Sequence, residues 1–598
     1  MLIKALCEYY DALASKNKVL PDGYSNVDIS YLLCLTPEGK LDEVIDNRVY
    51  IVDKKGKTKA VPQNMLFPKR AEVSAIKAEY IDHRFAYIFG LALENGKLSA
   101  ANDKAKKSHA ALVADNLEVL ADVNDELVNA YKNFLQNWAP EQETENPLLL
   151  GLGKAYDKVK YAFCLSGHPE QMLQADEQVL NKWQMLYDIQ KGTVGLKAQC
   201  AISGEYQNIA RKHNTIKGVA EGKSTGCFLV SFKNPAEKSY NQEGSYNSNI
   251  SVAAMNKYTE ALNYLLANNR HKYILGDITT VFWSKTDNEE CDDFVNSILF
   301  ANGDSYNEEE ADAKLFEMME AIHSGAASTA YLEDFAKLGE DTDFYIVGFK
   351  PNGSRLALKF LYRRNFGTIL QNVVQHQLDM KIDGYNKTTK LWQLLRELTP
   401  PKSNNVIYDA GMYAKLLEAV LYDQNYPDSY LHGIISRVKL DADMKINPRR
   451  VGIIKACLNK KRRKLNLKEV LKVALDKENT RPAYLCGRLF AILEHIQNVA
   501  AGTELNKTIK DSYFSTAVCN PGIVMPKLIH LSMYHQKKLA QNKKGLAVIF
   551  DKLISEIMDT MAEFPKHLRL DEQGEFIVGY YQQRQDFFKK KDDTEKDK

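Results

Sequence analysis

Apolar residues at helical spacing open the chain. Leu2, Leu6, Tyr9 and Leu13 stand about a turn apart and predict a first helix. Short strand-like runs follow: YLLCL (31–35) ends in a Pro-Glu-Gly turn, and VYIVD (49–53) ends in a lysine-rich stretch. From 110 to 138, Val113, Leu117, Leu120, Val123, Leu127, Tyr131, Phe134 and Trp138 repeat every three or four residues, predicting one long amphipathic helix stopped by Pro140 and Pro147. Residues 200–285 turn to Gly, Ser, Asn and aromatics, with strands expected at CFLVSF (227–232) and TTVFW (279–283) and a helix around Met255–Leu266. FYIVGF (344–349) and RLALKFLY (355–362) read as a strand pair turned at Pro351-Asn352-Gly353. Beyond about 366 helical periodicity takes over. Leu485, Leu489, Ile492, Leu493 and Ile496 form a buried stripe, and Pro521 and Pro526 separate its helix from the next. The expected class is α+β, an irregular mixed α/β N-terminal and central region followed by an all-α helical bundle. The expected domains are 1–150, 151–365 and 366–598.

Composition narrows this picture. A chain of 598 residues exceeds what one core usually supports, and 45% hydrophobic with 26% charged residues is ordinary for a folded soluble protein. Nine cysteines, none in a C-x-x-C pair, fit reduced thiols rather than a disulfide framework or zinc knuckle. Glu8 and Asp11 interrupt the first apolar stretch, and no run approaches the ~20 apolar residues of a membrane span. A cytoplasmic protein without a membrane partner is expected.

Catalytic motifs fail to close. GVAEGKS (218–224) has one residue too few between its glycines for a phosphate loop and no apolar strand before it. Gly151-Leu-Gly153 meets Tyr156 where a dinucleotide fingerprint needs glycine. H-E-x-x-H and G-x-S-x-G are absent. His213 and Cys200 lack a second ligand pair, so a hydrogen-bonded loop histidine is the simpler reading. The neighbours Asp571 and Glu572 read as surface acids. No enzyme activity, cofactor or metal is expected, although a nuclease or NTPase with an unfamiliar site stays open as an alternative.

Charge is concentrated instead. The whole chain carries +2, but 437–472 holds thirteen Lys or Arg against Asp441, Asp443 and Glu469, a net +10 that leaves −8 elsewhere. Such a segment, with Arg449, Arg450, Lys460, Lys461, Arg462, Arg463 and Lys464, suits a phosphate backbone. Lys54, Lys55, Lys57 and Lys59 repeat the signal weakly.

Several segments resemble the large subunit of the type I-C CRISPR interference complex, Cascade. They are LIKALCEYYDAL, VIDNR and AVPQ near the start; CAISGE (200–205), IARKHNTIKGV (209–219), STGCFLVSF (224–232), SYNQEGSYNSNISVAA (239–254) and GDITTVFW (276–283) in the middle; then GFKPNGSR (348–355), AYLCGRLFAILEHIQ (483–497), TIKDSYFSTAVCNPGIVMPKL (508–528) and FPKHLRLDEQGEFIVGYYQQR (564–584). The resemblance implies binding rather than catalysis: reading the PAM in duplex DNA, promoting strand separation and R-loop formation, and holding the displaced strand. It implies as partners crRNA-bound backbone subunits, small subunits, a recruited helicase-nuclease and phage anti-CRISPR proteins. It also implies that about 470–598 resembles the small subunit, which in this family can arise by internal initiation. On this reading Lys54, Lys55, Lys57, Lys69, Arg70, Lys77, His83 and Arg84 meet PAM-proximal duplex, and Gln242, Asn247 and Asn249 reach the strand fork. The sequence departs from the family at His83-Arg84, where an Asp-Asn pair is usual. Arg suits guanine and Asn suits adenine, so the swap would bear on which bases are read. A scaffold that binds only protein and guide RNA is the other reading.

Overall fold

The computed structural model describes residues 1–21, 23–52, 58–68, 76–94, 96–153, 157–193, 196–237, 241–300, 313, 315, 319, 342–401, 403, 408–441, 446–467, 471–502, 505 and 507–588. The chain forms two compact units. Ile3–Asn214 with Val230–Ala261 makes one, and Thr215–Leu229 with Leu262–Lys598 makes the other.

In the first unit, α1 (Leu2–Ser15) buries Leu6, Tyr9 and Leu13, the stripe its spacing predicts. Strands β1 (Tyr24–Ile29), β2 (Tyr31–Leu35), β3 (Leu41–Asp46), β4 (Val49–Val52), β5 (Thr58–Val61) and β6 (Gln63–Pro68) follow. Then come α2 (Phe85–Phe89), β7 (Ala92–Glu94), β8 (Lys97–Ser99), α3 (Asp103–Val119), α4 (Glu126–Asn137), α5 (Pro147–Leu150), β9 (Tyr161–Leu165), β10 (His168–Met172), α6 (Glu177–Thr193), β11 (Lys197–Gln199) and β12 (Tyr206–Asn208). The main sheet has the order β10-β9-β2-β3, with β2 and β9 parallel and in register from Tyr31↔Tyr161 to Leu35↔Leu165. The single helix expected over 110–138 is two. Asp125 caps α4 by accepting from the Leu127 N–H (3.0 Å), while Leu120 and Val123 in the break stay buried. Apolar spacing persists across the break because both sides face one core.

The second unit carries the antiparallel sheet β13 (Lys272–Leu275), β14 (Ile278–Ser284), β15 (Asp343–Asn352) and β16 (Arg355–Asn365), in that order. Helix α7 (Val252–Ala267) precedes it, and α8 (Glu289–Val295) leaves β14. Asn352 pairs with Arg355, so the expected hairpin forms, but its two-residue turn is Gly353-Ser354, with Gly353 at φ +64°, and Pro351 and Asn352 belong to β15 rather than to the turn. CFLVSF is not a strand. Cys227 exchanges backbone bonds with Ile216, and Phe228 N donates to Ser354 O (2.8 Å), which are isolated bridges. Residues 218–224 form a turn whose Ala220 N–H donates to Thr279 Oγ1 (2.9 Å), with no helix after it to complete a phosphate loop.

Ten helices follow in this unit among the described residues: α9 (Phe366–Met380), α10 (Leu391–Arg396), α11 (Ala410–Leu421), α12 (Asp428–Leu440), α13 (Pro448–Lys464), α14 (Pro482–Ala501), α15 (Ile509–Cys519), α16 (Pro521–Asn542), α17 (Lys544–Thr560) and α18 (Leu570–Asp586). The architecture is α+β, with the sheets N-terminal and central and the helices C-terminal. The α14 stripe is buried as expected. Pro521 starts α16 at its first turn, where a missing N–H costs nothing, whereas Pro526 lies inside that helix rather than between two. All nine cysteines are free thiols. No helix among the described residues is long and apolar enough to cross a membrane.

Candidate nucleic-acid interface

Helix α13 holds the densest charge of the sequence. Asn447 caps it, accepting from Arg450 N (2.8 Å), and Pro448 fills the first turn. Its cations are not a solvated face. Arg450, 1% exposed, places Nε 2.9 Å from Glu397 and Nη1 2.7 Å from Asp441. Lys460, 0% exposed, donates to Ala419 O (2.6 Å) and stands 3.3 Å from Asp423. Arg462 pairs with buried Glu575, and Arg463 grips both oxygens of Asp379 (2.8 and 2.9 Å). Arg449 reaches Glu397 (3.2 Å), Lys461 reaches Asp571 (2.8 Å) and Lys464 reaches Asp423 (3.0 Å). Burial also pushes the Lys455 ammonium down to about 8. Seven cations of this helix are therefore paired with five carboxylates that the fold brings from 379, 397, 423, 571 and 575. The reading of 437–472 as a free phosphate-binding patch is corrected: most of these charges hold helices together. Asp571 takes part in that network, and Glu572 caps α18 by accepting from Arg569 N (2.7 Å), so neither is an idle surface acid.

Among the N-terminal candidates, Lys54, Lys55, Lys57, Lys69 and Arg70 lie outside the described residues. Lys77 is exposed. His83 is buried, with Nδ1 3.2 Å from Glu79. Arg84 directs Nε (2.9 Å) and Nη2 at the Asp82 carboxylate and stacks 3.5 Å over the Tyr87 ring. Arg84 Nε and Nη2 thus face Asp82, so a bidentate contact to guanine through that edge of the guanidinium would break the Asp82 pair.

The 241–249 loop is built rather than slack. Asn247 Nδ2 donates inward to Gln242 O (3.0 Å) and Gly244 O (3.2 Å). A side chain at Gly244 would come 2.9 Å from Arg211 O, and φ there is +57°. Gln242 is half-buried, and Asn249, at φ +46°, is exposed. Nearby His213 is a buried core histidine with Nδ1 2.6 Å from the Tyr258 hydroxyl, and burial lowers it to about 4. Cys200 instead accepts backbone N–H groups from Ile202 and Ser251.

An exposed basic face lies on α16 and the start of α17. Residues 512–550 hold five lysines and no acid. Lys527, Lys537, Lys538, Lys543 and Lys544 are all exposed, and none forms an ion pair among the described residues. Tyr534 on the same helix is 69% exposed. Lys527 lies 5.1 Å over the Tyr513 ring, beside a groove lined by Lys507, Tyr513 and His535. Burial, helped by Lys538, holds the His535 imidazole below its usual range. A row of unpaired ammonium groups with an exposed aromatic can track a phosphate backbone and stack a base. Counting basic residues missed this face. The signal that finds it is the absence of acid over 39 residues, 512 to 550.

No curated protein matches the chain. The model of a CRISPR-associated protein family, Cas_Csd1, matches residues 6–588, nearly the whole chain and both compact units, so the protein belongs to the CRISPR-associated Cas_Csd1 family.

Proposed function

We propose that this chain is the non-catalytic large subunit of a type I-C CRISPR RNA-guided surveillance complex, acting in the cytoplasm in antiviral defence. In this role it reads the PAM in duplex DNA, promotes strand separation and holds the displaced strand. Its partners are crRNA-bound backbone subunits, small subunits and a helicase-nuclease recruited after R-loop formation, and phage inhibitors are candidate ligands of the same surface. Family membership supports the setting. The single observation that carries the DNA-binding part is the acid-free lysine face of α16 with Tyr534.

The sites are assigned by what each can offer. PAM-proximal duplex falls to Lys77 and to the basic stretches at 54–59 and 69–70, as the family resemblance suggests. Gln242 and Asn249 are the loop side chains for the strand fork, since Asn247 is turned inward. The displaced strand falls to the α16 face and not to α13. Guide pairing then carries sequence specificity, by analogy with another effector class.

The test is Lys537→Glu with Lys538→Glu in the assembled complex, measuring affinity for target duplex across salt concentrations. Loss of two single-strand phosphate contacts lowers the slope of log K against log salt by about 1.4, while the preference for an intact over a scrambled PAM is unchanged. An unchanged slope removes α16 from the interface. A scaffold reading draws support from exposed Ile523, Met533, Val548 and Ile549 on α16 and α17. It predicts that omitting this subunit leaves PAM discrimination intact.

A further inference from the structure

In the sheet-bearing part of the second unit, three side chains converge away from any basic face. His271 ends a short turn before β13, Asp287 sits in the turn leaving β14, and Asp292 lies on α8. They are 2%, 1% and 0% exposed, and one donor atom from each lies within 4.8 Å of the others. Asp287 holds φ +54°, a left-handed conformation uncommon for a residue with a side chain. Its N–H closes the turn on Ser284 O (3.1 Å).

Asp292 supplies the second observation. Its Oδ1 accepts from Ser284 N (2.7 Å), but its buried Oδ2 has no hydrogen-bond partner among the described residues. Oδ2 points toward His271 Nδ1, 3.9 Å away, and that nitrogen lies 3.2 Å from the Phe282 carbonyl, an acceptor only, so it carries the hydrogen. The neighbouring guanidinium of Arg270 is engaged by Glu289 (2.6 Å) and Asp293 (2.9 Å). A buried oxygen in this position is satisfied either by a proton or by a cation. A cation would find two carboxylates and the imidazole of His271, which offers Nε2 as ligand while Nδ1–H keeps the Phe282 carbonyl.

We propose that His271, Asp287 and Asp292 bind one divalent cation of mixed imidazole–carboxylate preference, Zn2+ or Mn2+, as a structural tie between the β13 entry, the β14–α8 turn and α8. Ligand bonds of about 2.1 Å put donors at most about 4.2 Å apart, so the three close slightly on binding. One nitrogen and two oxygens suit these ions better than Ca2+, which takes oxygen ligands.

The experiment uses full-length protein stripped with chelator and dialysed, in separate arms, against Zn2+, Mn2+ or Ca2+. Bound metal is counted by mass spectrometry and Mn2+ also by electron paramagnetic resonance, which is blind to zinc held by thiols. The expected result is one Zn2+ or Mn2+ per chain and a melting temperature raised by a few degrees, with neither effect from Ca2+. Asp292→Asn is expected to abolish both while melting no lower than the stripped wild type, because a neutral amide replaces an unpartnered carboxylate. If that variant does not fold, His271→Gln, which retains a donor for the Phe282 carbonyl, is expected to weaken binding at least tenfold. Binding that survives these substitutions, or no bound metal and no thermal shift with any ion, overturns the site.

Discussion

Glu575 is 1% exposed and sits between Arg462 and the Nε of Arg481 (2.7 Å). Two guanidiniums thus share one buried carboxylate. Removing one partner of a buried pair costs roughly 3–5 kcal/mol, so Glu575→Gln is expected to lower the unfolding free energy read from denaturant titration of the full chain by that order. Reversing Lys460–Lys464 is expected to act the same way, lost helix content by circular dichroism appearing before any DNA is added. His213 offers a second residue-scale outcome. Its Nε2 is buried without a hydrogen-bond partner, so protonating the ring places a charge where nothing receives it. The folded-state value of about 4 lies below the usual 6.5. The contribution is therefore complete above pH 6.5 and is lost as pH falls from 6.5 through about 4. His213→Asn, whose amide can keep the bond to Tyr258, is expected to flatten that part of a melting-temperature-against-pH curve, and a curve parallel to wild type rejects this. These residues also mark what sequence could not show. Charge counts along a segment are local, whereas the acids that pair with α13 come from other parts of the chain, so the count could not show that these cations are already engaged within the fold.

Helix α14 crosses α18 where glycines meet backbone. A side chain at Gly487 would stand 2.0 Å from Phe576 O, and one at Gly579 would stand 2.4 Å from Tyr484 O. Gly487→Ala is expected to force the helices apart at a cost of about 1–3 kcal/mol or more, seen as a lowered melting temperature. Gly545→Ala on α17, where no atom lies within 4 Å, is the matched control and is expected to leave stability equal or slightly raised. Equal melting of the two variants rejects the close crossing. At this scale much was legible. The α14 stripe announces itself by period and the β15–β16 hairpin by two strand-like runs about a glycine, because each is decided within its own segment. CFLVSF has the composition of a strand, yet its pairing depends on distant Ile216 and Ser354, which offer only single bridges. The break between α3 and α4 was hidden because the residues inside it face the same core as the helices.

The larger organisation sets how far the C-terminal helices stand alone. The stretch from about 470 onward, which the family resemblance led us to expect as a small-subunit-like part, contains α14 to α18, yet α18 is closed on its inner side by α13. Ile454 and Leu458 of α13 approach Gly574 so nearly that an added side chain would lie 2.9 and 3.1 Å from them, and Arg462 reaches Glu575 from the same helix. A fragment starting at 471 lacks all three and exposes that side of α18. Each fully buried aliphatic side chain contributes roughly 1.5–3 kcal/mol, so the loss is large against the stability of a small helical bundle. Two fragments make the comparison, 471–598 and 446–598, the longer one retaining α13. The shorter is expected to melt lower and to bind a hydrophobic dye, and adding the assembled remainder of the complex is expected to suppress the dye signal by covering the exposed side. Equal melting temperatures without dye binding would mean that α14 to α18 close a core of their own, with α13 only laid against it. The family match over 6–588 was foreshadowed by segments spread along the whole chain. The interleaving of the two units at 214, 230 and 262 was not, because it falls within one Gly-, Ser- and Asn-rich stretch whose composition does not change at those points.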